Sequence, residues 1–214
     1  MKNILCYGDS NTWGWIPGKP DCRHPYEKRW TGILQKKLGE DYRVIEAGLN
    51  GRTTVFEDPV TPNRNGRATL NCTLEMQRPF DLVVVMLGTN DTKIRFTATP
   101  RDITNGLAEI IKGIRAYPCG NVPPQPPEIL ILAPMPIRDC IMQLPMGETF
   151  AESAIAKSEV LAGYYKVQAS EMGCHFADAS KWGKVSDTDG IHMTEETHAR
   201  FADGIYAEIK KILG

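Results

Sequence analysis

A serine, a histidine and an aspartate occur where their chemistry can combine, although almost the whole chain separates the first from the other two. Ser10 directly follows a short apolar run in MKNILCYGDS. A serine hydroxyl is a poor nucleophile until a base takes its proton and donors meet the developing oxyanion. His192, in DTDGIHMTEE, is the candidate base, and Asp189 lies three residues before it. A turn of that length can point both side chains the same way, so that the carboxylate holds the imidazole with its free nitrogen toward Ser10. Asn90, in GTND, adds a side-chain amide. Each feature taken singly has a plainer reading. Gly-Asp-Ser after a strand serves as a turn that caps a helix, Asp189-x-x-His192 as a capping arrangement ahead of Thr194, and Asn90 as a turn former. Their weight comes from where the fold would put them.

The surrounding pattern alternates strands and helices. Lys2–Tyr7, Tyr42–Ala47, Asp81–Leu87, Glu128–Ala133 and Cys174–Ala177 read as strands. DLVVVML is continuous and β-branched, as a sheet buried on both faces requires. Between them, helical spacing marks Arg29–Leu38, a helix from Pro100 to about Tyr117, and a long amphipathic helix from Glu148 to Met172. Thr194 caps a last helix with Glu195 and Glu196 in its first turn and Lys210 and Lys211 in its last. This alternation predicts a parallel sheet with helices on both faces. At 214 residues, with only the stiff stretch 120–128 as a connection of note, the chain reads as a single domain, 1–214. Ligands in such sheets bind beyond the carboxyl ends of the strands. Gly8-Asp9-Ser10, Gly48 to Arg52 and Gly88 to Asp91 all fall at that edge.

GDSNTWGW, GLNGRTT, MLGTND and DGIH occur in the order of the four blocks of SGNH hydrolases, the GDSL family, and the chain resembles that family over nearly its whole length. RWTGIL at 29–34, TTVFEDP at 53–59 and LGTNDTK at 87–93 are similar to its bacterial arylesterase/acyltransferase branch. The resemblance implies a three-layer α/β/α, flavodoxin-like SGNH-hydrolase fold with a central five-stranded parallel sheet. It implies Ser10 as nucleophile and His192 as base, oriented by Asp189 in preference to Asp187. It also implies an oxyanion hole made of the Ser10 N–H, the Gly51 N–H and the Asn90 side-chain amide. Asn11 stands where leucine is common in the family and is expected to shape the acyl pocket. Trp13 and Trp15, close to Ser10, read either as packing residues or as an apolar wall for the substrate, and with Ile191 they are the other expected substrate contacts. The implied activity is that of a serine esterase or acyltransferase acting on short-chain acyl esters. Carbohydrate O-acetylesterase and lysophospholipase/thioesterase are chemistries of the same family. A non-catalytic flavodoxin-like binding module is the alternative from another class.

Other classes find little in the sequence. A net charge of −1, from 25 basic and 26 acidic residues, with no basic run, argues against a nucleic-acid partner. No stretch approaches the roughly 18 apolar residues of a membrane span, and Ile4–Tyr7 is too short for a signal-peptide core. The expectation is a cytoplasmic protein whose partner is a small-molecule ester. Six cysteines form no CxxC pair and are not spaced with the histidines as zinc ligands would be, so neither metal nor cofactor is expected. GWIPGKP fails as a phosphate loop, and GxGxxG and GxSxG motifs are missing. His198, six residues after His192, reads as a surface or helix-packing histidine, while Asp9 and Asp91 are expected to brace their loops. The apolar segment Ile137–Phe150 is long for a connection. It reads as a lid or packed loop, or as a contact that narrows the site of a neighbour in a homo-oligomer, the reading the family resemblance favours.

Overall fold

The computed structural model describes residues 1–120 and 125–214, so the stiff connection expected over 120–128 lies partly outside the described residues. Five strands, β1 (Lys2–Gly8), β2 (Tyr42–Gly48), β3 (Leu82–Met86), β4 (Glu128–Ala133) and β5 (His175–Asp178), form one sheet in the order β2-β1-β3-β4-β5. Every pairing is parallel. The doubly wound, flavodoxin-like sheet expected from the sequence is therefore present, with its reversal of strand order beside β1.

Side chains alternate across each strand and so feed two cores. Leu5, Tyr7, Val83, Val85, Ile129 and Ile131 join the helices α3 (Gly66–Gln77), α4 (Pro100–Ala116) and α5 (Met146–Glu171) on one face. Ile4, Cys6, Val44, Val84 and Leu132 meet α2 (Trp30–Leu38) and α6 (Glu195–Leu213) on the other. No helix among the described residues is long and apolar enough to cross a membrane. Thr194 caps α6 as expected, accepting from the Thr197 N–H at 3.1 Å. Periodicity does not reveal α3, because Leu70 and Leu74 are its only large side chains that reach the core. Asn65 starts it, accepting from the Ala68 N–H at 3.1 Å.

The helix expected over 148–172 is broken. Ala151 has a left-handed backbone (φ 57°), which separates a first turn from the long helical portion. That turn delivers Phe150 to a small cluster with Ile137, Ile141, Ala154 and Ile191. The segment 137–150 thus packs on the chain's own Ile191, and the Arg138 N–H donates to the Gly190 carbonyl at 2.9 Å. This intrachain packing accounts for most of the apolar composition without a neighbour; Met142 alone among its large apolar side chains is prominently exposed.

Room for the first loop comes from two paired glycines. Gly8 and Gly48 are register partners at the carboxyl ends of β1 and β2. The single turn α1 (Ser10–Trp13) lies directly on them. A Cβ on Gly48 would come within 2.2 Å of the Trp13 nitrogen and 2.6 Å of the Thr12 carbonyl carbon, both backbone atoms that cannot swing aside. Gly48→Ala is therefore expected to cost about 1–3 kcal/mol and to lower the melting temperature by about 2–10 °C, read by calorimetry. Unchanged melting would mean that α1 is not seated against this strand end.

Candidate active site

β1 ends in Gly8, and the chain turns at Asp9 into α1. The Asp9 carboxylate accepts from the Asn11 N–H at 3.0 Å, which starts the turn with Ser10 as its first residue. Gly14, in a left-handed conformation, closes it (φ 93°). Ser10 is thereby fixed at the carboxyl end of a central strand, with its own N–H at the free end of the turn.

From the far end of the chain, the loop 186–192 arrives at the same place. The Ser186 N–H donates to the His192 carbonyl at 2.7 Å and the Gly190 N–H to the Ser186 carbonyl at 2.9 Å, so the loop closes on itself. Asp189 Oδ1 accepts from the N–H groups of Ile191 (3.1 Å) and His192 (3.0 Å). Its Oδ2 lies 2.8 Å from His192 Nδ1, and His192 Nε2 lies 2.9 Å from Ser10 Oγ. An ionised carboxylate only accepts, so Nδ1 carries the proton and Nε2 is left to accept the Ser10 hydroxyl. Asp187 is exposed and pairs with Arg138 at 2.5 Å, away from the imidazole.

Two further loops complete the edge. Leu49 to Arg52 form a turn closed by the Arg52 N–H on the Leu49 carbonyl at 3.1 Å. Its third residue is Gly51 (φ 77°), the conformation a type II turn requires there. Alanine would leave the Gly51 N–H in place but would carry backbone strain; space is not the obstacle, since the nearest atoms to a Cβ, on Arg64, are 3.5 Å away. After β3, Asn90 opens a 3₁₀ turn, and its Nδ2 donates to the Arg52 carbonyl at 3.2 Å. An amide nitrogen has a second hydrogen to give. The structure thus brings Ser10, Asp189, His192, Asn90 and the Gly51 turn to one sheet edge.

The expected substrate contacts divide. Trp15 stacks on the His192 ring, with centroids 5.3 Å apart and planes 21° from parallel, and Trp13 tilts against Trp15 at 6.1 Å. Ile191 is buried in the cluster with Phe150. Asn11 is buried beside Ser10. Its Nδ2 donates to the Ile191 carbonyl at 3.0 Å and its Oδ1 accepts from the Met193 N–H at 2.9 Å, so both ends of the amide are spent on backbone. His198 is fully buried on α6, with Nδ1 accepting from the Trp30 N–H at 3.3 Å and its ring edge-on to His24. Arg52, which composition and spacing do not single out, donates from Nη1 to the carbonyls of Gly8 (2.7 Å) and Ala47 and lies 4.1 Å over the Tyr7 ring. A lone arginine in a polar loop leaves no periodic signal. Among the described residues no three His, Cys, Asp or Glu side chains gather as metal ligands would, and all six cysteines are free.

Residues 6–200 match the GDSL-like Lipase/Acylhydrolase family. Among solved structures, the native M. smegmatis aryl esterase is 38% identical with a TM-score of 0.93, over the full length of both chains. Est24, a carbohydrate acetylesterase from Sinorhizobium meliloti, is 37% identical with a TM-score of 0.92, again over both full chains. An acetylxylan esterase of Xylanibacter ruminicola is 27% identical over 97% of this chain, which spans only 43% of that longer protein.

The carboxylates of the edge titrate differently although all are buried. Burial alone would raise Asp189, but the His192 side chain and the two N–H bonds outweigh it and hold the group below its usual value. Burial pushes Asp9 and Asp91, neither hydrogen-bonded to an imidazole, up to about 6. Asp91 Oδ1 accepts from the Thr54 N–H (2.8 Å) and from its hydroxyl, while Oδ2 is buried without a partner. A raised acid makes the folded state hold its proton longer than the unfolded chain does. Its effect on stability is therefore neutral at low pH and increasingly unfavourable as pH rises from about 4 to about 6. Asp91→Asn keeps an oxygen for Thr54 and removes this titration. Relative to wild type, the variant is expected to gain on the order of 2–3 kcal/mol between pH 4 and pH 8 in denaturant titrations. A difference that does not change with pH would show that Asp91 ionises normally.

Proposed function

This chain belongs to the GDSL-like lipase/acylhydrolase family, a family of carboxylic ester hydrolases, and from that premise we propose that it is a serine esterase that cleaves short-chain acyl esters through a Ser10 acyl-enzyme and passes the acyl group to alcohols as well as to water. The observation that carries the reading is the continuous relay from Asp189 Oδ2 through both ring nitrogens of His192 to Ser10 Oγ, at 2.8 and 2.9 Å.

In this reading His192 Nε2 removes the Ser10 proton as Oγ bonds to the carbonyl carbon of the ester. The carbonyl becomes an oxyanion, and the N–H groups of Ser10 and Gly51 and the amide of Asn90 supply its donors. Collapse breaks the bond to the alcohol oxygen, which leaves with the proton from His192. Water or a second alcohol then gives its proton to His192 and its oxygen to the acyl carbon, and the reverse collapse returns Ser10. Asp189 keeps the imidazole tautomer and stabilises the imidazolium formed in each half.

Short acyl groups are favoured because Ser10 is only 8% exposed and Trp15 covers the imidazole beside it. An alcohol competes with water where the site excludes solvent, and the stacked indole supports that condition. A carbohydrate O-acetyl ester is the second reading for the substrate, supported by the likeness to the Sinorhizobium carbohydrate acetylesterase and the Xylanibacter acetylxylan esterase.

Phenyl acetate, acetylated xylan and a long-chain thioester, assayed with and without an added alcohol, separate these substrates. Ser10→Ala is expected to lose about 10⁴-fold or more in turnover, and a serine-directed phosphonate is expected to label wild type at Ser10. A folded, unlabelled and inactive wild type would point to a binding module instead. Asn90→Ala, properly folded, is expected to lose about 10²–10³ in turnover; turnover near that of wild type would take Asn90 out of the oxyanion site.

A further inference from the structure

Asn11 follows the nucleophile directly, and its side chain does something that the leucine common at this position cannot do. Nδ2 donates to the carbonyl of Ile191 at 3.0 Å, and Oδ1 accepts from the N–H of Met193 at 2.9 Å. One planar amide thus straddles His192, bonding the residue before it and the residue after it. The partners are 180 and 182 positions away in the chain, and Asn11 is buried. Its own carbonyl accepts from the indole N–H of Trp30 at 3.2 Å, and Trp30 is wholly buried in the core. The turn that carries Ser10 is therefore tied to the core on one side and to the His192 backbone on the other.

Most of the remaining bonds around His192 come from its own loop, and the Arg138 N–H adds one from outside it, to the Gly190 carbonyl at 2.9 Å. Asp189 takes the N–H groups of Ile191 and His192, and Ser186 donates to the His192 carbonyl. Those bonds shape the loop but do not say where it sits relative to Ser10. Among the described residues, the hydrogen bonds that join α1 to this loop are the two from Asn11 and the Ser10–His192 contact itself. A single bond would act as a hinge. Two bonds of opposite polarity from one rigid amide fix both distance and rotation.

We infer that Asn11 is a positioning residue: its amide sets the separation and alignment of Ser10 Oγ and His192 Nε2, and it does not form part of the acyl pocket. The inference rests on the reading of Ser10 and His192 as nucleophile and base. Reacting groups must be held to within about 0.5 Å of their working geometry, and a displacement of about 1 Å can cost about 10²-fold. Ser10 and His192 come from opposite ends of the chain, so neither element's own helix or strand bonds can supply that precision.

The test compares wild type, Asn11→Leu, Asn11→Asp and Ser10→Ala in phenyl acetate hydrolysis across pH, with thermal melting alongside. Leucine removes both bonds; aspartate keeps the acceptor for Met193 and sets a carboxylate against the Ile191 carbonyl. For folded Asn11→Leu, kcat is expected to fall about tenfold to hundredfold with KM changed less than about twofold. In Asn11→Asp, kcat falls as well, and the acid limb of the pH–rate profile moves to higher pH because the added negative charge favours protonated His192. A rise in KM at unchanged kcat would restore Asn11 to the substrate pocket. Lowered melting with undiminished kcat would leave it a purely structural role, as would failure of both variants to fold, and either result overturns the inference. Ser10→Ala tests the underlying reading separately. Wild-type turnover in that variant removes the nucleophile itself, whereas an inactive Ser10→Ala beside an unaffected Asn11→Leu removes only the positioning role.

Discussion

Parallel pairing sends all five strands the same way, so the carboxyl ends of β1, β2 and β3 meet along one edge. Everything at the site depends on what can be packed into that edge. Strand order reverses beside β1, which opens a crevice there. The crevice is filled by backbone more than by side chains. Gly8 and Gly48, paired at the strand ends, leave space for α1 to lie directly against them. Any Cβ at Gly48 would lift that turn and carry Ser10 away from a histidine delivered independently by the other end of the chain.

Filling an edge with loops leaves strand-end carbonyls and loop N–H groups that must find partners away from water. Buried polar side chains answer this one by one. Arg52 covers the carbonyl of Gly8 at the end of β1 and that of Ala47, one residue before the end of β2, Asp9 takes a free N–H of α1, and Asp91 holds Thr54 beside the Gly51 turn. Asn90 and Asp91, adjacent in sequence, thus grip the same stretch of backbone at Arg52 and Thr54. The Gly51 turn is thereby held to the loop that carries Asn90.

The same burial has opposite electrostatic results depending on partners. Asp189 faces an imidazole and two N–H groups and stays ionised below its ordinary range. Asp91 has one bare buried oxygen and rises to about 6. The edge therefore favours the ionised form beside His192 and disfavours it at Asp91. Burial opposes ionisation at both positions; the imidazole facing Asp189 offsets it there, whereas Asp91 is buried without a cationic hydrogen-bond partner among the described residues and close to the Asp9 carboxylate.

Much of this was legible in the residues. Continuous β-branched runs ending in glycine mark β1, β2 and β3, since a strand covered on both faces must be apolar throughout and must stop where a turn is needed. Ser10, Asn90 and the Asp189-x-x-His192 spacing follow from those strand ends and from local turn geometry. What escaped were features with no local signature. The helix α3 shows the core too few apolar side chains to have a period, and the break at Ala151 accompanies the packing of Phe150 with Ile191. In the sequence Asn11 shows only its neighbour, Ser10, and nothing local marks partners for its amide. Its amide is satisfied by residues 180 and 182 positions away. The sequence by itself determined the strands, their shared direction and which polar residues stand at their ends, because periodicity and turn chemistry act over a few residues. Only the tertiary structure decided which polar side chains join the two chain ends, because a hydrogen-bond partner is set by distance in space and not by distance along the chain.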